Sequence, residues 1–262
     1  ARRSALAWPF PPSASFSLLT CAVTIGMRFE SLSSLAAVRS RLAVVDACLA
    51  GRAISSCSSR LSLAARAARE RYGSARVAVV VGTSTSSIGA SEEAYRRLQP
   101  DGTYPADLQR PIVHTPHSLG DFVQQALGLT GISVTVATAC SSSAKVFAQA
   151  ERFIRAGLAD AAIVGGVDTL CGSVLFGFNS LELVSPEPCR PFDIERRGIN
   201  LGEAGGFALL EREASEGAWL LGYGESSDAH HMSSPHPEGV GARLAVQEAL
   251  QRSQLSPNDI DY

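Results

Sequence analysis

Val134-Thr135-Val136-Ala137-Thr138-Ala139-Cys140-Ser141-Ser142-Ser143 joins an apolar run to a stretch, Ser142 to Ala156, that reads as helix. The small residues around Cys140 permit a sharp turn and leave room for a substrate to approach the sulfur. A cysteine at a helix N-terminus feels the positive end of the macrodipole, which favours thiolate over thiol by about 0.3–1 kcal/mol. That suits a nucleophile. A buried structural cysteine is the competing reading, because a free Cys often serves as a small core residue.

Working outward, the punctuation sets an alternating pattern. Arg76 to Val81 is a continuous apolar strand of the kind buried on both faces of a sheet. It runs into Gly82-Thr83-Ser84-Thr85-Ser86-Ser87-Ile88-Gly89, a small-residue loop. This loop lacks the lysine of a P-loop and the glycine spacing of a dinucleotide fingerprint, so it reads as a structural turn. Further strands are expected at Leu18 to Ile25, Val134 to Ala137, Ala161 to Gly165 and Phe207 to Glu211, and Trp219 to Tyr223 starts a new segment. Helical spacing marks Leu35 to Leu49, Leu61 to Tyr72, Asp121 to Leu127 and Gly239 to Gln251. Alternating strands and helices imply an α/β fold with a sheet covered on both faces.

The 262 residues, 45% hydrophobic, suffice for a sizeable core in one or two domains. A net charge of -2 gives no reason to expect a nucleic-acid partner. Of the 23 basic residues only Lys145 is a lysine. Six cysteines (21, 48, 57, 140, 171 and 189) form no C-x-x-C pair, which fits reduced thiols in a cytoplasm better than secreted disulfides. Arg2-Arg3 and the run Leu18-Leu19-Thr20-Cys21 have a faint likeness to targeting or lipoprotein features. Pro9, Pro11 and Pro12 break the apolar segment, and Thr20 is a poor residue before the cysteine, so targeting is disfavoured. No run reaches the roughly 18 apolar residues of a membrane span.

The stretch Ala137 to Ser143 resembles the nucleophile motif of β-ketoacyl-acyl carrier protein synthases, the condensing enzymes of fatty-acid and polyketide assembly. The likeness continues in order through Gly157-Leu158-Ala159-Asp160, Ile163-Val164-Gly165-Gly166-Val167-Asp168, Cys189-Arg190-Pro191-Phe192-Asp193, Gly202-Glu203-Ala204-Gly205 and Ser226 to Pro235. Five pieces in sequence order are specific where one alone is weak. The resemblance runs from about Arg76 to Tyr262. It implies the thiolase-like fold, which packs two related α/β halves. On that mapping residues 1–54 match poorly, 55–213 form the nucleophile-bearing N-terminal domain, and 214–262 open the C-terminal one. The run Thr83 to Tyr95 and Gly177-Phe178-Asn179-Ser180-Leu181-Glu182 look closer to synthases of aryl-polyene pigment pathways than to housekeeping members.

The implied chemistry is acyl transfer to Cys140 from a carrier-protein thioester, then decarboxylative Claisen condensation with malonyl-carrier protein. It needs no cofactor and no metal. The backbone N–H of Cys140 is a candidate oxyanion donor. Asp228, His231 and Ser233 match positions of a mobile loop beside the acyl-pantetheine entrance, and His230 replaces a tyrosine common in fatty-acid members. A polar surface loop is the competing reading. A zinc site from His230, His231 and His236 is disfavoured, since no cysteine or carboxylate stands at ligand spacing. Asp193 and Glu203 read as buried groups that pin loops rather than as an acid–base pair. The glycines at 165, 166, 202, 205 and 206 suit close packing or positive φ. Arg60, Arg66, Arg69 and Arg71 suit either an acidic carrier protein or a solvated helix face.

The family's first catalytic histidine sits in an N-x-H-G-T pattern, and none of His114, His117, His230, His231 and His236 stands in one. Lys145 does not match the family lysine. This polypeptide is therefore expected to stop short of condensation. Acyl carrier protein and a second copy, in a homodimer, are the partners implied. Two other classes stay open: a non-catalytic partner or scaffold, and a thiolase-like or cysteine acyl hydrolase. Truncation through an α/β layer is expected to expose the apolar faces of Ala161–Gly165 and Trp219–Tyr223, with aggregation as the consequence.

Overall fold

A computed structural model of the chain describes residues 27–28, 41–43, 54–212, 218–231 and 234–261. Its strands are β1 (Met27–Arg28), β2 (Arg41–Ala43), β3 (Val77–Gly82), β4 (Ser133–Val136), β5 (Ala161–Asp168), β6 (Ala204–Glu211) and β7 (Ala218–Leu220). The α-helices are α1 (Ile54–Tyr72), α2 (Ile88–Arg96), α3 (Ser118–Leu127), α4 (Ser142–Arg155), α5 (Gly172–Ser180) and α6 (Val240–Ser253). Among the described residues the strands form one mixed sheet in the order β1-β7-β2-β6-β5-β3-β4. β3 pairs in parallel with β4 on one side and β5 on the other, whereas β5–β6, β2–β6, β2–β7 and β1–β7 are antiparallel.

All six residues of β3 are buried, as its unbroken apolar run predicts. Side chains alternate across the pleat and so supply two cores. Ala78 and Val80 face α4, where they join Val146, Ala150 and Ile154 together with Ala162, Val164, Ala208 and Leu210. Val77, Val79 and Val81 face the other layer, with Ala65 and Ala68 of α1, Val123 of α3 and Leu129. The expected α/β architecture with both sheet faces covered is therefore what the chain adopts.

Local expectations and structure differ at two places. The helical spacing over Leu35–Leu49 gives way, in the described part, to strand β2, where Leu42 stands opposite both Leu210 and Ala218. Cross-strand pairing overrides a weak local periodicity there. The strand expected at Leu18 to Ile25 lies outside the described residues. Ala161–Val164, Trp219 and Tyr223, expected to lie bare, are buried. Exposed large apolar side chains sit elsewhere, among them Leu63, Tyr95 and Phe122 on α1, α2 and α3, and, on α5 and the segments after it, Phe176 (76% exposed), Leu181, Phe192 (102%) and Ile194 (95%). Among the described residues no helix is long and apolar enough to cross a membrane.

Candidate functional site

Cys140 lies in a single 3-10 turn, Ala139–Ser141, between β4 and α4, and is exposed. Ala139 takes φ 53°, the left-handed region that L-residues other than Asn and Asp rarely enter. Hydroxyl groups hold this turn. Ser142 Oγ accepts from the Thr138 N–H at 2.8 Å and donates to the Ala139 carbonyl at 2.6 Å. Ser141 Oγ donates to the Thr138 carbonyl at 2.8 Å and lies 3.0 Å from Thr138 Oγ1. Both serines are buried with these bonds made. The run of small polar residues that marks the motif in sequence thus fixes the backbone on either side of the sulfur.

Two glycines seat the turn on the sheet. Gly82 and Gly166 are register partners at the ends of β3 and β5. A Cβ on Gly82 would stand 2.6 Å from the Ser142 carbonyl carbon, and one on Gly166 would overlap Ser143 Oγ. Their absent side chains let the first turn of α4 approach the strand ends. None of the glycines 165, 166, 202, 205 and 206 has positive φ, so close packing is the reading that holds at 165 and 166.

The loop after β3 is pinned rather than open to a phosphate. Asp168 Oδ1 accepts from Thr83 Oγ1 (2.9 Å), the Ser84 N–H (2.6 Å), the Thr85 N–H (2.9 Å) and Thr85 Oγ1 (3.1 Å). Asp168 belongs to a motif visible in sequence, but this role is not visible there, since its partners lie over eighty positions away. The role of Glu92 is equally hidden. It accepts the Gly172 and Ser173 N–H groups at the start of α5 (2.8 and 2.6 Å). Hydrogen bonds from Ser173, then from the Gly172 backbone, hold its carboxyl below the usual range.

Asp228 shapes the second expected segment. Its carboxylate accepts the His236 N–H at 2.9 Å and the His230 N–H at 3.1 Å, and these bonds hold its carboxyl below the ordinary value. Ala229 takes φ 51°. His231 is exposed, and Ser233 lies outside the described residues. The His230 and His236 rings meet edge-on with centroids 4.9 Å apart, and His236 Nδ1 accepts the Glu238 N–H at 3.2 Å. Among the described residues no group of three or more His, Cys, Asp or Glu is placed to hold a metal ion. Ion pairs from Lys145 and Arg152 of α4 to Glu225 join the Cys140 helix to the segment that leads into this loop.

The remaining candidates have structural partners. Glu203 Oε1 accepts the Leu170 N–H at 2.8 Å, and Asp193 Oδ1 accepts the Glu195 N–H at 2.8 Å. Both pin loops as expected, but Glu203 is exposed and Asp193 only half-buried, which corrects the expectation that they are buried. Arg69 donates to the Leu127 carbonyl and Arg71 pairs with the buried Glu211, whereas Arg66 is exposed. Arg60 lies outside the described side chains. Among the described residues, one concavity is lined by Leu175, Phe176, Asn179, Val184, Asn200 and Leu201, and another by Ser86, Ser87, Ser118, Leu119, Phe122 and Val167. Cys140 lines neither.

An exposed cysteine on a pinned turn between a parallel strand and a helix marks a thiol-bearing α/β protein. The family described as beta-ketoacyl synthase, N-terminal domain, matches residues 52–216, and its C-terminal domain matches residues 217–262. The chain belongs to the beta-ketoacyl synthase family. It is 33% identical over 195 residues to nodulation protein E of Rhizobium meliloti (strain 1021), covering 71% of this chain and 48% of that protein. It is 37% identical over 155 residues to the mitochondrial 3-oxoacyl-[acyl-carrier-protein] synthase of Arabidopsis thaliana, covering 53% and 34%. Among solved structures, the ketosynthase from Xenorhabdus doucetiae in complex with its chain length factor aligns with TM-score 0.71 and 34% identity, over 90% of this chain and 62% of that one. The chain spans about half the length of the nodulation proteins it matches.

Proposed function

We propose that this chain carries the acyl-accepting half of a decarboxylative condensing reaction, with Cys140 as nucleophile. The thiolate attacks the carbonyl of an acyl thioester on a carrier protein. The tetrahedral intermediate collapses, the acyl group stays on sulfur, and the phosphopantetheine thiol leaves with a proton. In the second step malonyl on another carrier loses carbon dioxide, and its enolate attacks the acyl-cysteine to release the thiolate. The observation that carries this reading is the exposed Cys140 on its fixed turn in a chain of this family. Residues 55–213 hold that turn, and 214–262 begin the second half with the Asp228–His231 segment beside the acyl-pantetheine path. Groups that polarise malonyl are not supplied by the histidines of this sequence, so the chain alone acylates without condensing. No cofactor is required, and the setting is cytoplasmic.

Aryl-polyene assembly is the pathway class that the Thr83–Tyr95 and Gly177–Glu182 phrases favour. Self-association as a homodimer is the proposed assembly. The Xenorhabdus ketosynthase, by contrast, pairs with a chain length factor, which favours a mixed dimer as the second reading. Size measurement of the chain alone and with such a partner separates the two.

Acyl-carrier protein incubated with the chain is expected to leave an acyl adduct that maps to Cys140 by mass spectrometry and vanishes in Cys140→Ala. No adduct overturns the catalytic reading in favour of a scaffold. An adduct hydrolysed to free acid favours a hydrolase. Carbon dioxide released from malonyl-carrier protein contradicts the assignment of acylation without condensation.

A further inference from the structure

Glu225 receives two cations from one face of α4. Its Oε1 lies 3.0 Å from Lys145 Nζ, and its Oε2 accepts from Arg152 Nη2. Lys145 and Arg152 are seven residues apart, two helical turns and about 10 Å along the axis. One carboxylate gripped at two heights on a helix resists both sliding and rotation of that helix. The glutamate side chain is 16% exposed, so these are not freely solvated surface pairs. Burial raises the Glu225 carboxyl, but the bonds from Arg152 and Lys145 outweigh it and the net direction is down.

The other side of the same segment is fixed to α6. The Glu225 N–H donates to Glu248 Oε2 at 2.9 Å, and Ser226 Oγ donates to the Gly241 carbonyl at 2.6 Å. Gly224 has no room for a Cβ against the Ala245 carbonyl. Arg152 and Arg252 both lie over the Tyr223 ring, 5.0 and 4.3 Å from its centroid, and Tyr223 Oη donates to Glu151 at 3.2 Å. Residues 223–226 are thus wedged between α4 and α6. The loop shaped by Asp228 begins two residues on.

We propose that Glu225 is a positioning residue: with Lys145 and Arg152 it locks the helix that begins just after Cys140 to the segment that leads into Asp228–His231. The loop and the turn bearing the thiol then move as one unit rather than independently. This inference rests on the reading of Cys140 as the acyl acceptor, but half of its test does not.

Hydrogen exchange and acylation test it in the full chain. In Lys145→Met, amides of Ser226–His231 are expected to exchange about tenfold faster, with β3 and β5 unchanged, although the substitution lies on α4. Acylation of Cys140 by hexanoyl-N-acetylcysteamine, followed by mass spectrometry, is expected to show a plateau rate about fivefold lower at an unchanged half-saturating concentration. Lys145→Arg restores both. Exchange within twofold of wild type overturns the proposal, as does acceleration spread equally over the core strands or failure of the arginine variant to rescue. Should Glu225→Gln not fold, Lys145→Met and Arg152→Gln decide the matter, each leaving the carboxylate one cation. If wild type takes no acyl group, the acyl-acceptor reading fails and the exchange result alone upholds or overturns the lock.

Discussion

At Ala139 the backbone takes φ 53° immediately before the exposed thiol, a conformation that costs an L-residue about 1–2 kcal/mol. Bonds from the Ser141 and Ser142 hydroxyls to the carbonyls of Thr138 and Ala139 hold the turn there. Ala139→Gly relieves the strain but gives the unfolded chain more freedom, by about 0.4–1 kcal/mol. The variant is therefore expected to match or slightly exceed wild type in urea unfolding. Ala139→Val places a β-branched residue at positive φ and is expected to lose about 1–3 kcal/mol. A large loss in the glycine variant would show that the turn is unstrained. Cysteine, serine and small neighbours are legible as a motif in the sequence. The sign of φ at residue 139 is not, because alanine carries no local preference for that region.

At the scale of elements, the approach of α4 to the sheet depends on Gly82 and Gly166 lying side by side. Gly82→Ala pushes a methyl into the Ser142 backbone and is expected to cost about 1–3 kcal/mol by urea denaturation, as overpacking does. Gly206→Ala, with nothing within 4 Å of the added carbon, is the control and is expected to stay within about 0.5 kcal/mol. Equal losses in the two variants would refute the seating argument. Strand β3 and helix α4 are readable from their apolar patterns. Helices α2 and α5 are not, since they are nine residues each and α5 takes its cap from Glu92, eighty positions upstream. Strand β2 reads as helical in sequence because only its partners β6 and β7 make it extended.

Across the whole molecule, carboxylates with depressed pKa values make stability pH-dependent in one direction. Asp160 is held down by its hydrogen bonds from Arg76, Asp107 by Arg97, Glu92 by the start of α5, and Glu248 by the Glu225 backbone and Arg252. Each binds a proton more weakly folded than unfolded. Their contribution is complete above the unfolded values near pH 4 and disappears as pH falls through the lower folded values. Urea midpoints are expected to be level from pH 7 to pH 5 and to drop steeply below about pH 4, with a smaller drop in Asp160→Asn. A midpoint that rises on acidification would contradict the assignment. The apolar surface at Phe176, Phe192 and Ile194 is a molecular property too. Replacing both Phe192 and Ile194 by Ser is expected to reduce binding of a hydrophobic dye and to change stability by no more than about 0.5 kcal/mol, because neither side chain is buried. Unchanged dye binding would place the sticky surface elsewhere.

Strands β3 to β6 and helices α3, α4 and α6, the α/β class and the choice of Cys140 as the residue to watch were all determined by the chain's own text. Unbroken apolar runs, helical spacing and a run of small residues are local properties, and they survive without knowledge of partners. Tertiary structure alone decided the mixed sheet order, the strand at Arg41–Ala43, the use of Asp168 and Glu92 as pins and the grip of Lys145 and Arg152 on Glu225. Each of these joins residues far apart in sequence. A carboxylate has no local pattern that announces its donor, so its partner is fixed only when the sheet brings the two segments together.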